Sequence, residues 1–189
     1  IADEIYDGLD FSGHQVSIAS RSNDVPVFTL NGVSKVYYAP GWRIGYMAFH
    51  DPKKNSLDVL DGIERLLRSR LCASTPAQYG YLAGLQGEDS WMNGYLTEIK
   101  KRNDYCIDRI NNIEGLSVQP PEGAFYMMPK VENALDFVWD LYKDYNVITY
   151  LGDWFGSPSR IRFSYALNMD KIEEGLLRIH DYMKAKKGA

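Results

Sequence analysis

The spacing of apolar residues divides the chain into segments of strand and helix character. A short apolar run at 25–30 is followed by the turn residues Asn31-Gly32, which predicts a buried strand, and a second strand is predicted at 43–49. Beyond these strands apolar residues recur at helical spacing, so an amphipathic helix with an apolar core face is expected over 56–71. That face consists of Leu57, Leu60, Ile63, Leu67 and Leu71.

Two further helices and a region of mixed character follow. Thr75-Pro76 offers an N-cap and a first helical position for a helix that should end at Gly87. Ser90 can cap a longer helix that should end at Gly115 and link two lobes. After it, strands are predicted at 116–118, 124–128, 147–150 and 161–166, a helix at 135–145, and a final helix with Ile172, Leu176, Ile179 and Met183 on its core face.

Composition narrows the class of protein and of partner. The 189 residues are 45% hydrophobic and 24% charged, as in ordinary globular proteins, and their formal net charge is -4. This charge provides no positive field for the phosphate backbone of a nucleic acid, although a small anion held by a few arginines remains an open alternative. No apolar run is long enough to span a bilayer, so we expect a soluble, cytoplasmic protein with no membrane partner.

The cysteines and the first residues carry two more expectations. Cys72 and Cys106 are too few for a disulfide framework, which favours a reducing compartment, and both are expected to be buried thiols. Residues 1–5 contain neither an initiator methionine nor a signal-peptide core. They are typical of the end of an interior strand, so we expect the natural polypeptide to continue upstream.

Several common catalytic motifs are absent from the sequence. There is no Gly-x-Gly-x-x-Gly, Walker A, Gly-x-Ser-x-Gly or His-Glu-x-x-His pattern. The three histidines are too scattered for a metal site and are expected at the surface. They are His14, His50 and His180.

A lysine, a carboxylate and an arginine lie beside predicted strand ends, at Lys35, Asp3 and Arg43. Pyridoxal phosphate requires an amine for covalent attachment, a carboxylate that keeps its pyridine nitrogen protonated, and donors for its phosphate. The fork of an arginine suits the phosphate, and a phenol such as Tyr6 could donate to the ring oxygen O3′. Taken singly, each residue is better explained as a solvated lysine, an ordinary loop carboxylate or a glycine-rich turn around an arginine.

Three segments in this order resemble the successive signatures of the class I/II aminotransferases, which are fold-type I pyridoxal phosphate enzymes. The segments are Asp3-Glu4-Ile5-Tyr6, Asn31-Gly32-Val33-Ser34-Lys35 and Gly41-Trp42-Arg43-Ile44-Gly45-Tyr46. The resemblance implies that Asp3 pairs with the pyridine nitrogen and Tyr6 with O3′. It also implies that Lys35 forms the Schiff base and that Arg43 binds the phosphate. Ser34, next to the lysine, is counted among the candidate cofactor-binding residues.

The resemblance continues downstream. Segments 74–78 and 123–126 are similar to the start of the family's helix after the lysine and to a strand of its small domain. Arg162-Phe163-Ser164-Tyr165 resembles the motif whose arginine binds the substrate α-carboxylate. Strand alternation supports this role, because it places Arg162 on the face opposite the apolar residues of the strand. Arg160 shares that face and is expected to be a solvated side chain.

The resemblance also implies an architecture and an activity. Residues 1–88 would be the end of a large, mostly parallel sheet domain and residues 89–189 a small α/β domain, in a homodimer that transfers an amino group between an amino acid and a 2-oxo acid. The family's upstream half, with its glycine-rich phosphate turn and its ring-stacking aromatic residue, is not in the chain, which is expected to be inactive alone. Two alternatives stay open: another activity on the same scaffold, such as a β-lyase, decarboxylase or synthase, and a non-catalytic domain.

Overall fold

A computed structural model describes residues 1–187 of the chain. These residues fold as two units, Ile1–Met92 and a second that begins at Asn93, and each unit contains helices and a three-stranded sheet. The α/β class predicted from the sequence is confirmed. The identification of the two units as the end of a large domain and a small domain stays a prediction.

The sheet of the first unit has the order β1-β2-β3, with β1 at Ala2–Asp3, β2 at Val27–Gly32 and β3 at Gly45–His50. β1 pairs with β2 in parallel, and β2 pairs with β3 antiparallel, with Gly32 opposite Gly45. The two backbones approach so closely there that a Cβ on Gly32 would lie 2.8 Å from the Ile44 carbonyl oxygen. The glycine pair therefore lets the backbones of β2 and β3 lie close together just before the loop that carries Lys35.

Three helices follow β3: α1 at Leu57–Arg70, α2 at Thr75–Gln86 and α3 at Ser90–Asn111. The first two lie within one residue of the predicted bounds. α3 ends four residues before Gly115, whose φ of +91° belongs to a turn after the helix. The predicted core face of α1 is wrong for this chain, since no residue of α1 is buried.

In the second unit the sheet order is β4-β6-β5, and both strand pairs are antiparallel. The strands are β4 at Tyr126–Met127, β5 at Tyr150–Leu151 and β6 at Ile161–Ser164, and the helices are α4 at Ala134–Tyr145 and α5 at Met169–Lys187. The strand predicted at 116–118 is reduced to one bridge between Ser117 and Lys130. The core of this unit is formed by Ile99, Ile110, Phe137, Leu141, Ile161, Tyr165, Ile172 and Ile179.

Burial separates the two cysteines. Cys106 of α3 is buried, and this burial raises the pKa of its thiol to about 12, whereas Cys72 is exposed, so the prediction of two buried thiols is wrong for Cys72. All three histidines are exposed, as expected. Among residues 1–187, no helix combines the length and the apolar character needed to cross a membrane.

Candidate cofactor and substrate sites

Asp3 and Tyr6 lie in the segment that leaves β1. The amide of Glu4 donates to the Leu30 carbonyl at 2.8 Å, so the pairing of β1 with β2 continues just past Asp3. The Asp3 carboxylate accepts the Ile5 amide at 3.2 Å, which bends the chain toward Tyr6. Asp3 is exposed and Tyr6 is half-buried, so a charged acceptor and a phenol stand at the carboxyl end of this strand.

Lys35 lies in the loop that joins β2 to β3. Val33 and Val36, both buried, anchor the loop on either side of it, and the Tyr38 amide closes a turn on the Lys35 carbonyl at 3.3 Å. The ammonium nitrogen of Lys35 lies 5.8 Å from the centre of the Tyr6 ring. The structure thus brings together two of the residues that the sequence motifs single out.

Asn31 links the same two segments, a role that its place in the motif before Lys35 does not predict. Its Nδ2 donates to the Asp7 carboxylate at 3.4 Å, and its Oδ1 accepts the Gly32 amide at 2.7 Å. The side chain therefore connects the end of β2 with the turn that contains Tyr6. The only sequence signal for this role is the Asn-Gly pair at the strand end.

Arg43 does not lie in a strand, contrary to the prediction of a strand at 43–49, because β3 begins at Gly45. Its φ of 53° is left-handed, which is uncommon for a residue with a Cβ, and it follows a short 3-10 turn at Pro40–Trp42. One guanidinium nitrogen donates to the Pro40 carbonyl at 2.7 Å. Since a guanidinium has five N–H donors, this exposed side chain keeps donors for an anion.

Helix α2 packs against the loop between Lys35 and Arg43 with a face that contains two glycines. A Cβ on Gly80 would lie 2.5 Å from the Trp42 ring, and a Cβ on Gly84 would lie 2.9 Å from the Tyr37 ring. The Tyr81 side chain of the same face is buried, and burial raises the pKa of its hydroxyl to about 12, so that hydroxyl stays protonated. The packing of Gly80 and Gly84 against Trp42 and Tyr37 holds the loop between the lysine and the arginine. The spacing of glycines in the sequence does not predict this packing.

Arg162 lies in β6 of the second unit. Ile161 and Phe163 are buried on one face of the strand, so the predicted alternation is confirmed. The guanidinium carbon of Arg162 lies 4.1 to 4.9 Å from the centres of three aromatic rings, and within residues 1–187 this side chain makes no hydrogen bond to a protein group. The expectation that Arg160 is a solvated side chain is wrong. Arg160 is half-buried, and its guanidinium donates to the Met128 carbonyl at 2.7 Å.

The groups in the first unit fit pyridoxal phosphate in chemical type. The unit carries an amine, an exposed carboxylate, a phenol and a guanidinium on Lys35, Asp3, Tyr6 and Arg43. The Ser34 hydroxyl is half-buried beside the lysine and makes no hydrogen bond to another group in the described part of the chain, so it can serve an anion. The donor set therefore matches a cofactor with a ring nitrogen, a ring oxygen and a phosphate.

Comparisons with known proteins agree with this chemistry. Residues 1–179 match the family model for aminotransferase class I and II. The aspartate aminotransferase of Geobacillus stearothermophilus is 32% identical over 98% of this chain and 49% of its own length. The glutamate-pyruvate aminotransferase of Escherichia coli K12 is 38% identical over 69% of this chain and 33% of its own length. The chain spans about half the length of the curated relatives it matches.

The fold is shared with a solved structure of the alanine aminotransferase from Pyrococcus furiosus. That structure superposes with a TM-score of 0.92 and 39% identity, over 97% of this chain and 48% of that chain. Members of the family depend on pyridoxal phosphate. Sequence and structure together show that this chain belongs to the class I and II aminotransferase family.

Proposed function

We propose that the protein containing this chain transfers an amino group between an amino acid and a 2-oxo acid, with pyridoxal phosphate attached to Lys35. The observation that carries the proposal is the ammonium of Lys35 at 5.8 Å from the Tyr6 ring, in the unit whose strand ends also present Asp3 and Arg43. Family membership supports the reaction class.

When bound, the cofactor supplies an aldehyde carbon for the amino group and a ring that accepts electrons. The Asp3 carboxylate holds a proton on the ring nitrogen by direct charge pairing, which keeps the ring electron-poor. The Tyr6 hydroxyl donates a hydrogen bond to the ring oxygen O3′. Arg43, with Ser34, binds the phosphate, and the fork of its guanidinium is suited to that anion.

Lys35 would have a second role when its amine is free and an amino acid is bound. The amine would then take the proton from the substrate α-carbon as a general base and give it back as a general acid. The buried valines on either side hold the loop, so the fold positions the backbone from which the lysine side chain extends.

Arg162 binds the α-carboxylate that every amino acid and 2-oxo acid substrate carries. Its half-buried guanidinium has no protein acceptor within residues 1–187, so its N–H groups are available to an external planar anion. A carboxylate can take two parallel N–H bonds from such a fork, which fixes its orientation as well as its position.

The relatives suggest which substrates to test first. Those relatives are named for aspartate, for alanine, and for glutamate with pyruvate, so aspartate and alanine are the first amino donors and 2-oxoglutarate the first acceptor. We further propose a homodimer in the cytoplasm. Exposed apolar side chains on α1, such as Leu66 and Leu67, support an association surface.

The test is an assay of the full-length protein loaded with pyridoxal phosphate. We expect alanine or aspartate to be converted to its 2-oxo acid with stoichiometric formation of glutamate from 2-oxoglutarate. Ammonia or carbon dioxide released without glutamate would indicate a lyase or decarboxylase on the same scaffold. No turnover with any amino acid and no change in visible absorbance on cofactor addition would contradict the proposal and favour a non-catalytic domain.

A further inference from the structure

Three aromatic rings surround the guanidinium of Arg162. The guanidinium carbon lies 4.1 Å from the centre of the Phe155 ring, 4.7 Å from that of Tyr126 and 4.9 Å from that of Tyr150. A cation within about 6 Å of a ring centre is attracted by the negative face of the ring. We call these three residues the aromatic box.

Strand register explains why two of these rings reach the arginine. Tyr150 of β5 is the direct partner of Arg162 in β6, so the two side chains stand on the same face of the sheet. On the other side, Tyr126 of β4 is paired with Ser164, which is two residues from Arg162 and shares its face. Both neighbours of β6 therefore contribute one ring, one directly opposite and one diagonal.

The third ring is supplied by a tight turn. Phe155 ends the short helical turn Gly152–Phe155 that follows β5. This turn is fastened to β6 because the Gly152 amide donates to the Arg160 carbonyl at 2.8 Å, and the Ser157 amide donates back to the Gly152 carbonyl at 3.0 Å. A Cβ on Gly152 would collide with the Ser157 carbonyl oxygen, so the close approach requires glycine.

The neighbouring arginine shows that the box is not a general property of this face. Arg160 also projects from the β6 edge, yet its guanidinium is held by the Met128 carbonyl at 2.7 Å. Arg162 has rings where Arg160 has an acceptor, and within residues 1–187 its N–H groups have no protein partner. Rings can contact the flat faces of a guanidinium while the N–H groups, which radiate in its plane, remain available.

We propose that Tyr126, Tyr150 and Phe155 are positioning residues that hold the Arg162 guanidinium by aromatic contact and thereby set its affinity for the substrate carboxylate. This inference rests on the proposed role of Arg162 and adds a reason why Arg162 binds the carboxylate tightly. The rings restrict the side-chain rotamers of the arginine and displace water from it, and the ring faces, unlike a carboxylate side chain, carry no negative charge that would compete with the substrate carboxylate. The gain applies equally to both substrates, because each carries the same carboxylate.

The kinetic test uses the full-length holoenzyme with Phe155→Leu, Tyr150→Leu and Tyr126→Leu. We expect each to raise the KM for the amino acid and for the 2-oxo acid together by about two- to thirty-fold, with kcat at saturation nearly unchanged. Phe155→Tyr keeps a ring and should retain the wild-type KM. Trp139→Leu is the matched control, because it removes an exposed ring from α4 that contacts Lys143 rather than Arg162.

Fluorinated phenylalanines at position 155 separate ring electrostatics from packing. Added fluorine weakens the negative face of the ring while nearly preserving its shape, so KM should rise stepwise with the number of fluorines. A KM that stays constant through the series, or equal to wild type in all three leucine variants, would overturn the proposal while leaving the aminotransferase activity in place.

A second readout does not need turnover. Arg162 in the full-length protein is modified with phenylglyoxal, the adduct is mapped by peptide mass, and propanoate is added as a monocarboxylate that slows the modification. We expect the concentration of propanoate that gives half protection to rise in Phe155→Leu and not in Trp139→Leu. Such a rise without any transamination would support the box and refute the proposed function, whereas equal protection in both variants would refute the box.

Discussion

The ammonium of Lys35 lies 5.8 Å from the centre of the Tyr6 ring, although the two residues belong to different loops at the ends of β2 and β1. We therefore expect borohydride reduction of the full-length protein with pyridoxal phosphate to attach the cofactor at Lys35, as read by peptide mass. Lys35→Ala should abolish transamination and leave the fold nearly intact. Lys53→Ala, at an exposed position, is the control and should behave as wild type. A reduced adduct on another lysine would show the assignment to be wrong.

The order of elements and most helix bounds could be predicted because they depend on local sequence, whereas the strand bounds shifted by up to several residues. The alternation in β6 indicated which face would be buried, and Ile161 and Phe163 are indeed inside. Periodicity could not say what packs on an apolar face, and for this reason the core face expected for α1 was wrong. Arg43 was placed in a strand because local pattern does not report its left-handed backbone.

The surroundings of the candidate residues were harder to predict than the residues themselves. The rings around Arg162 come from two different strands and a turn, so their positions depend on strand register, which long-range pairing sets. The contact of Gly84 with Tyr37 likewise depends on how α2 packs on the loop. Motifs point to groups that do chemistry, whereas the groups that hold them leave little signal in one sequence.

Gly84→Ala in α2 should weaken cofactor binding without changing any residue assigned to the cofactor. The added Cβ would lie 2.9 Å from the Tyr37 ring, which also contacts Tyr81 and Trp91 at 5.7 Å and so has little freedom to move. Overpacking of this kind typically costs about 1–3 kcal/mol. We expect a higher dissociation constant for pyridoxal phosphate in an absorbance titration.

Gly62→Ala is the matched control for this substitution. Gly62 lies in α1, and beyond the backbone of its own helix a Cβ at this position would meet no heavy atom of the described residues within 4 Å. Alanine there should therefore only increase helix propensity, by up to about 1 kcal/mol. Urea unfolding should show stabilisation for Gly62→Ala and a loss for Gly84→Ala. If both variants bind the cofactor as tightly as wild type, α2 does not position the lysine loop.

Arg162→Ala should raise KM for both substrates, and Arg162→Lys should recover only part of the loss. An ammonium cannot reproduce the two parallel hydrogen bonds that a guanidinium donates to a carboxylate. The loss of a charged hydrogen bond is worth roughly 1.5–3 kcal/mol, so kcat/KM should fall by tens-fold or more. Steady-state kinetics of the full-length variants decide the matter, and wild-type values in Arg162→Ala would remove this residue from the substrate site.

Cys106 should make the stability of the second unit decrease at high pH. Burial raises the pKa of its thiol from 9.0 to about 12. Between these values the unfolded chain loses the thiol proton while the folded chain keeps it. The contribution of Cys106 to the free energy of unfolding is therefore fully present below pH 9 and is lost as the pH rises toward 12. Urea unfolding at a series of pH values should give a shallower decline for Cys106→Ala than for wild type. Cys72→Ala, at an exposed site, should leave the decline unchanged, and equal slopes for all three proteins would contradict the prediction.

The 189-residue chain on its own should bind pyridoxal phosphate weakly and have no meaningful aminotransferase activity. Asp3 and Arg43 are exposed, so water and salt screen their attraction for the cofactor, and the chain spans about half the length of its curated relatives. Apolar side chains on and just after α1 are also uncovered in this chain, with Leu66 73% and Leu71 87% exposed, which favours self-association.

Three measurements on the purified chain test this expectation. Titration with the cofactor should give little of the near-visible absorbance that attachment to Lys35 would produce, and light scattering should give a mass above that of one 21.6 kDa chain. The double variant Leu66→Lys, Leu71→Lys replaces two of the exposed apolar side chains with charges, so it should reduce the scattering mass, whereas it should not create cofactor binding, because it adds no group to the lysine loop. A monodisperse monomer that binds one cofactor tightly and turns over amino acids would instead mean that Lys35, Asp3, Tyr6 and Arg43 form a sufficient site by themselves.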